Sequence, residues 1–206
     1  MGGIMANGDF SHITCIIDRS GSMQSIKSDA IGGFNSFLEN QKKLPGRAEL
    51  SLILFNHEYA KICDSIPLDK VEPLNDETYC PDGFTALLDA VGRAIDELGT
   101  SLNLLPENER PGKVILAILT DGEENSSRIF TRDQIFEKIT HQQTVYSWKF
   151  IFLAANQDAI QTGGKLGIAS SQSICFDASE EGIHQAYNKM SFMVASARLD
   201  SDDKTI

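Results

Sequence analysis

Residues 13 to 22 read Ile13-Thr14-Cys15-Ile16-Ile17-Asp18-Arg19-Ser20-Gly21-Ser22. The near-continuous apolar run Ile13 to Ile17 has the character of a strand covered on both faces. It breaks at once into a polar loop carrying Asp18, Ser20 and Ser22 at alternate positions. In an open α/β sheet, ligands bind beyond the carboxyl ends of the strands. Alternate side chains along a tight loop turn several oxygens toward one point, and an oxygen-only donor set selects a hard cation such as Mg²⁺.

Outward from this stretch, short apolar runs alternate with long amphipathic ones, the pattern of βα units around a mostly parallel sheet. Met23 to Leu44 places Ile26, Ala30, Phe34, Phe37 and Leu38 at helical spacing, and Pro45-Gly46 ends the helix. Glu49 to Asn56 and Ala60 to Ile66 are strand-like runs separated by too few residues for a helical crossover. They predict an antiparallel hairpin whose second strand lies at a sheet edge. Pro67 to Phe84 reads as a long loop, of the kind that is usually functional or mobile. Helices are expected over Thr85 to Leu98, from Thr131 to about Tyr146, over Asp158 to Leu166 and over Glu180 to Ala197. Thr131-Arg132-Asp133-Gln134 has the form of a capping box. Strands are expected over Lys113 to Leu119, Lys149 to Ala155 and Ser173 to Phe176, and Asp200 to Ile206 reads as a frayed tail.

Two further motifs sit where the first one does. Leu119-Thr120-Asp121-Gly122 places an acid directly beyond a buried strand, with a glycine to permit the turn. Gly83-Phe84-Thr85-Ala86-Leu87 offers a hydroxyl at the start of a helix. Together the three resemble the von Willebrand factor A domain family, whose metal-ion-dependent adhesion site is written DxSxS, a Thr and an Asp. Asp18, Ser20, Ser22, Thr85 and Asp121 match that pattern position by position. The resemblance spans residues 12 to 197, leaving an N-terminal extension (1–11) and a polar C-terminal tail (198–206).

The fold this resemblance implies is a Rossmann-like, doubly wound, mostly parallel six-stranded sheet with one antiparallel edge strand and helices on both faces. It further implies Mg²⁺, with Mn²⁺ or Ca²⁺ as alternatives, touched directly by Ser20, Ser22 and sometimes Thr85, and by Asp18 and Asp121 directly or through water. An Asp or Glu carboxylate of a protein partner would complete the shell. The IIDRSGSM and ILTDGEENS stretches are similar to those of stand-alone bacterial or phage cytosolic domains of this family. The chain is thus expected to act as a non-catalytic binding module. Met23, Tyr79, Phe84 and the Glu123 to Ile129 stretch are expected to supply the partner's contacts around the metal.

Other readings compete for the same residues. Asp18, Ser20, Ser22 and Thr85 suit helix N-caps as well as metal ligands. The run from Asp121 opens like a calcium-binding EF-hand loop, but Ser126 and Arg132 stand where that loop needs Gly and Glu. A metal-dependent phosphatase would use Asp18 as nucleophile, yet Ser20 occupies the place of the second carboxylate such enzymes need. No glycine-rich phosphate-binding motif follows any strand.

Composition agrees with a folded module and narrows its partners. The 206 residues are 41% hydrophobic and 23% charged, close to the averages of globular domains. A net charge of -11 argues against nucleic acid, whose affinity for proteins comes from Lys and Arg meeting phosphates. The apolar runs are too short to span a membrane, and the N-terminal stretch has neither the basic nor the hydrophobic segment of a secretory signal. Ala6 weakens any myristoylation of Gly2. Cys15, Cys63, Cys80 and Cys175 form no close pair, which suits reduced thiols in a cytoplasmic protein. His57 reads as a solvated turn residue, and the charges from Glu123 to Arg128 as a solvated face.

Overall fold

β1 (Asn7–Asp18) lies between β2 (Arg47–Phe55) and β4 (Pro111–Thr120) and pairs with both in parallel. The computed structural model describes residues 7–155 and 159–200. Residues 1–6 of the expected extension, the helix start expected at Asp158 and tail residues 201–206 lie outside that range. Beyond β2 lies antiparallel β3 (Tyr59–Pro67), and beyond β4 lie β5 (Lys149–Ala154) and β6 (Ser173–Cys175). The sheet order β3-β2-β1-β4-β5-β6 is that of a doubly wound fold, and its order reverses between β1 and β4. The expected hairpin and antiparallel edge strand are both present.

The two-residue period of the strands divides the core. Ile13, Cys15 and Ile17 of β1 and Ile115, Ala117 and Leu119 of β4 face α1 (Lys27–Lys42) and α5 (Glu180–Leu199). Ile16, Leu116 and Ile118 face the opposite layer, α2 (Leu87–Leu104) and α3 (Arg132–Tyr146). Each of these isoleucine and leucine side chains, fully buried, contributes about 1.5–3 kcal/mol. The short α4 (Ala159–Lys165) precedes β6, and the expected capping box at Thr131 and Gln134 opens α3.

Several boundaries differ from expectation for identifiable reasons. β1 starts at Asn7, so part of the segment assigned to an extension pairs within the sheet. Phe10, Ser11 and His12 are buried there, but the polar pair interrupts the apolar run that marks a strand. The expected long loop after β3 is partly core: Leu68, Val71, Leu74 and Tyr79 are buried, and a 3-10 turn spans Leu68–Lys70. A second 3-10 turn, Gly21–Ile26, precedes α1. Cys15 is buried on β1, while Cys63 and Cys175 are half-buried on β3 and β6.

α1 and α5 pack closely side by side. A Cβ on Gly33 would stand 2.2 Å from the Tyr187 ring, so only glycine allows this approach. At their C-terminal ends the buried Arg198 guanidinium donates to the Gln41 carbonyl (2.8 Å), and Gln41 Nε2 donates to the Ser191 carbonyl (3.0 Å). Among the described residues, no helix is long and apolar enough to cross a membrane.

Candidate metal centre

Asp18 and Thr120 end the two neighbouring strands at the point where the sheet order reverses. Asp18 is fully buried. Its Oδ1 accepts the Ser20 N–H at 2.6 Å and its Oδ2 accepts the Thr120 hydroxyl at 2.5 Å. The loop after β1 bends back from there. Ser20 Oγ lies 3.1 Å from Ser22 Oγ, and Ser22 Oγ donates to Asp121 Oδ1 at 2.7 Å. Asp18, Ser20 and Thr85 form a buried floor, with Ser22 and Asp121 on the solvent side.

Thr85 comes to this point from a different direction. It lies ahead of α2, which begins at Leu87 rather than at Thr85 as expected. A Cβ built on Gly122 would stand 2.8 Å from Thr85 Oγ1, 3.5 Å from Ser22 Oγ and 3.6 Å from Asp18 Oδ2, so these oxygens face one small space. The structure therefore brings Asp18, Ser20, Ser22, Thr85 and Asp121 to one edge. The helix-cap alternative is not realised by Ser20, which makes no side-chain cap bond, nor by Thr85, since Ala86 holds the cap position of α2.

The electrostatics suit a cation. Burial pushes the Asp18 carboxyl up to about 6, against the lowering pull of the hydrogen bonds from Thr120 and Ser20, with a smaller push from the Asp121 charge. Burial also raises Asp121 above the usual carboxylate range. Among the described residues no lysine or arginine forms an ion pair with either carboxylate. Two carboxylates and three hydroxyls, facing one space and lacking a positive partner, fit a hard divalent ion: the charges balance and every donor is oxygen.

A supporting layer holds these residues and was not evident in the sequence. Asn125 clamps Thr85 from both sides: its Oδ1 accepts the Thr85 N–H (2.9 Å) and its own N–H donates to the Thr85 carbonyl (3.0 Å). Glu124 accepts from the N–H groups of Leu88, Ser126 and Ser127, and Asp89 accepts from those of Arg128, Ile129 and Phe130. These two carboxylates lace the loop after Asp121 onto the first turn of α2, where a helix dipole favours negative charge. Glu124 and Ser127 are thus engaged internally rather than forming a solvated face.

Tyr79 is also structural, donating from its hydroxyl to the Asp18 carbonyl at 2.6 Å. The expectation that Met23 and Tyr79 face a partner is corrected, since both are 0% exposed. Phe84 (67%) and Ile129 (72%) are the exposed apolar side chains of these loops. The signals for Thr120 and Asn125 lay beside Asp121 in the sequence, but nothing local told which way they point.

No family model matches the sequence, and no curated protein matches it significantly. Solved structures do match. The vWF domain of the type V pili tip protein Mfa5 from Porphyromonas gingivalis is similar at a TM-score of 0.64 with 9% identity, over 95% of this chain and 98% of that one. The fold is that of a von Willebrand factor A domain. A von Willebrand factor type A structure from Catenulispora acidiphila matches at 0.58 with 12% identity over 88% of this chain. Proximal thread matrix protein 1 from the mussel byssus, solved with a zinc occupied MIDAS motif, matches at 0.60 with 13% identity over 90% of this chain. The chain spans under half of the latter two, 42% and 46% respectively.

Proposed function

We propose that this A-type domain is a non-catalytic, metal-dependent protein-binding module whose ion is held by Asp18, Ser20, Ser22, Thr85 and Asp121. The observation that carries the proposal is the convergence of oxygens from three separate loops on the space beside Gly122. Bound there, Mg²⁺ supplies a cationic centre with neutral hydroxyl and water ligands, ready to accept one anionic oxygen from a partner's Asp or Glu. Ser22 and Asp121 face solvent, so the partner approaches on their side. Exposed Phe84 and Ile129 provide apolar contacts beside a charged centre, the composition of a binding hot spot. The mussel protein, solved with zinc at its own adhesion motif, supports the metal part of this reading.

The phosphatase alternative fares worse on geometry. A nucleophilic carboxylate needs an accessible oxygen, whereas Asp18 is buried with both oxygens hydrogen-bonded. Generic phosphoesters with Mg²⁺ are expected to show no release above background, and turnover abolished by Asp18→Asn would overturn the non-catalytic reading.

Calorimetric titration of Mg²⁺ into chelator-treated protein tests the metal site. Wild type gives a binding isotherm, and Thr85→Ala and Asp121→Asn weaken it about tenfold or more, while both variants keep the wild-type circular dichroism spectrum. Equal binding in all three proteins refutes the assignment.

A further inference from the structure

A second group of ligating side chains lies apart from the five-residue site. Asp29 stands in the first turn of α1, and Glu180 and His184 stand one turn apart at the start of α5. Their spacing of four residues puts Glu180 and His184 on one helix face, turned toward Asp29. One ligand atom from each of the three lies within 4.8 Å of the other two.

The separation of Asp29 and His184 leaves room for a shared ion. His184 Nε2 is 3.7 Å from Asp29 Oδ1, too long for a hydrogen bond. Two ligands about 2.0–2.1 Å from one tetrahedral ion stand roughly 3.3 Å apart. Among the described residues, neither Asp29 nor Glu180 has a lysine or arginine ion-pair partner. The nearby N-terminal ends of α1 and α5 carry partial positive charge, which opposes a cation, and the two carboxylates offset it.

We infer that Asp29, Glu180 and His184 form a second metal site, selective for Zn²⁺ or a similar transition ion, that fastens the start of α5 to the start of α1. Selectivity follows from the donors. An imidazole nitrogen with two carboxylates suits Zn²⁺, whereas Mg²⁺ prefers oxygen alone. Position supports the role: Arg198 and Gln41 already join α1 to α5 at the far end, and Gly33 with Tyr187 lies between. An ion at Asp29 would fix the remaining end of the pair. Three protein ligands leave a fourth position for water.

The test titrates Zn²⁺ by calorimetry, and Co²⁺ by its visible absorption, into the chelator-treated chain. Excess Mg²⁺ is present to keep the oxygen site filled. Wild type is expected to take up one equivalent and to gain thermal stability with Zn²⁺. His184→Gln and Asp29→Asn, changes near the surface that leave the core intact, are expected to bind at least about tenfold more weakly and to lose that gain. Mg²⁺ binding measured separately should be the same in both variants as in wild type. Zn²⁺ uptake unchanged in both variants, or absent from wild type, overturns the inference. Loss of Mg²⁺ binding by Thr85→Ala with Zn²⁺ uptake retained keeps the two sites distinct, so each can fail without the other.

Discussion

The Thr120 hydroxyl donates to Asp18 Oδ2 at 2.5 Å, joining the ends of the two strands between which the sheet order reverses. The bond holds a buried carboxylate toward the space beside Gly122 and lowers its pKa against the effect of burial. Thr120→Val keeps the shape and removes the donor. A hydrogen bond to a charged group contributes about 1.5–3 kcal/mol. Mg²⁺ affinity by calorimetry is therefore expected to fall about tenfold or more, since a partner bond behind a ligand is typically worth 10–100-fold. Affinity equal to wild type would show that Asp18 needs no such support.

Gly122→Ala separates the metal site from the fold. The new methyl would meet Thr85 Oγ1, Ser22 Oγ and Asp18 Oδ2, oxygens of three of the five site residues. Gly122 is not among the glycines with positive φ, so alanine can adopt its backbone conformation. The expected outcome is loss of Mg²⁺ binding with the wild-type circular dichroism spectrum retained and a modest fall in melting temperature, since the buried Thr85 hydroxyl must give way to the new methyl. Normal Mg²⁺ affinity in this variant would mean the ion sits elsewhere.

Much of this arrangement was legible before the structure, because each strand that carries a site residue ends abruptly. Ile13 to Ile17 runs straight into Asp18, Val114 to Leu119 is followed by Thr120 and then Asp121, and the hairpin gap at His57 and Glu58 is too short to hold a helix. What stayed hidden depends on side chains reaching backbone far along the chain. Asn125 to Thr85, Glu124 to Leu88 and Asp89 to Phe130 join residues 36 to 41 positions apart, and no local pattern records such bonds. Tyr79 is hidden for a related reason: an apolar residue in an aperiodic segment carries no phase to say whether it faces core or solvent, whereas Met23, three residues before Ile26 and seven before Ala30, shares the phase of the buried face of that helix. The start of β1 was missed because His12 and Ser11 are polar yet buried, with Ser51 Oγ 3.4 Å from His12 Nε2.

That buried histidine gives a pH signature away from the metal. Burial lowers the His12 pKa from 6.5 to about 4. Between those values the unfolded chain binds a proton that the folded chain does not, so stability rises with pH across this window and is lost as pH falls through it. The contribution is ~3 kcal/mol when fully present. In urea unfolding of metal-free protein, the stability difference between wild type and His12→Gln is expected to grow by about that amount from pH 4 to 6.5, other titrating groups cancelling in the difference. A difference independent of pH would show that His12 is protonated in the folded state.

The most direct test of the five-residue centre is an anomalous difference map from crystals soaked in Mn²⁺, which takes the same oxygen ligands as Mg²⁺. The expected result is a peak among Ser20 Oγ, Ser22 Oγ and Thr85 Oγ1, faced by the carboxylates of Asp18 and Asp121, and missing from Gly122→Ala crystals treated in the same way. Mn²⁺ bound elsewhere with no peak beside Gly122, or a peak there that survives Gly122→Ala, would contradict it.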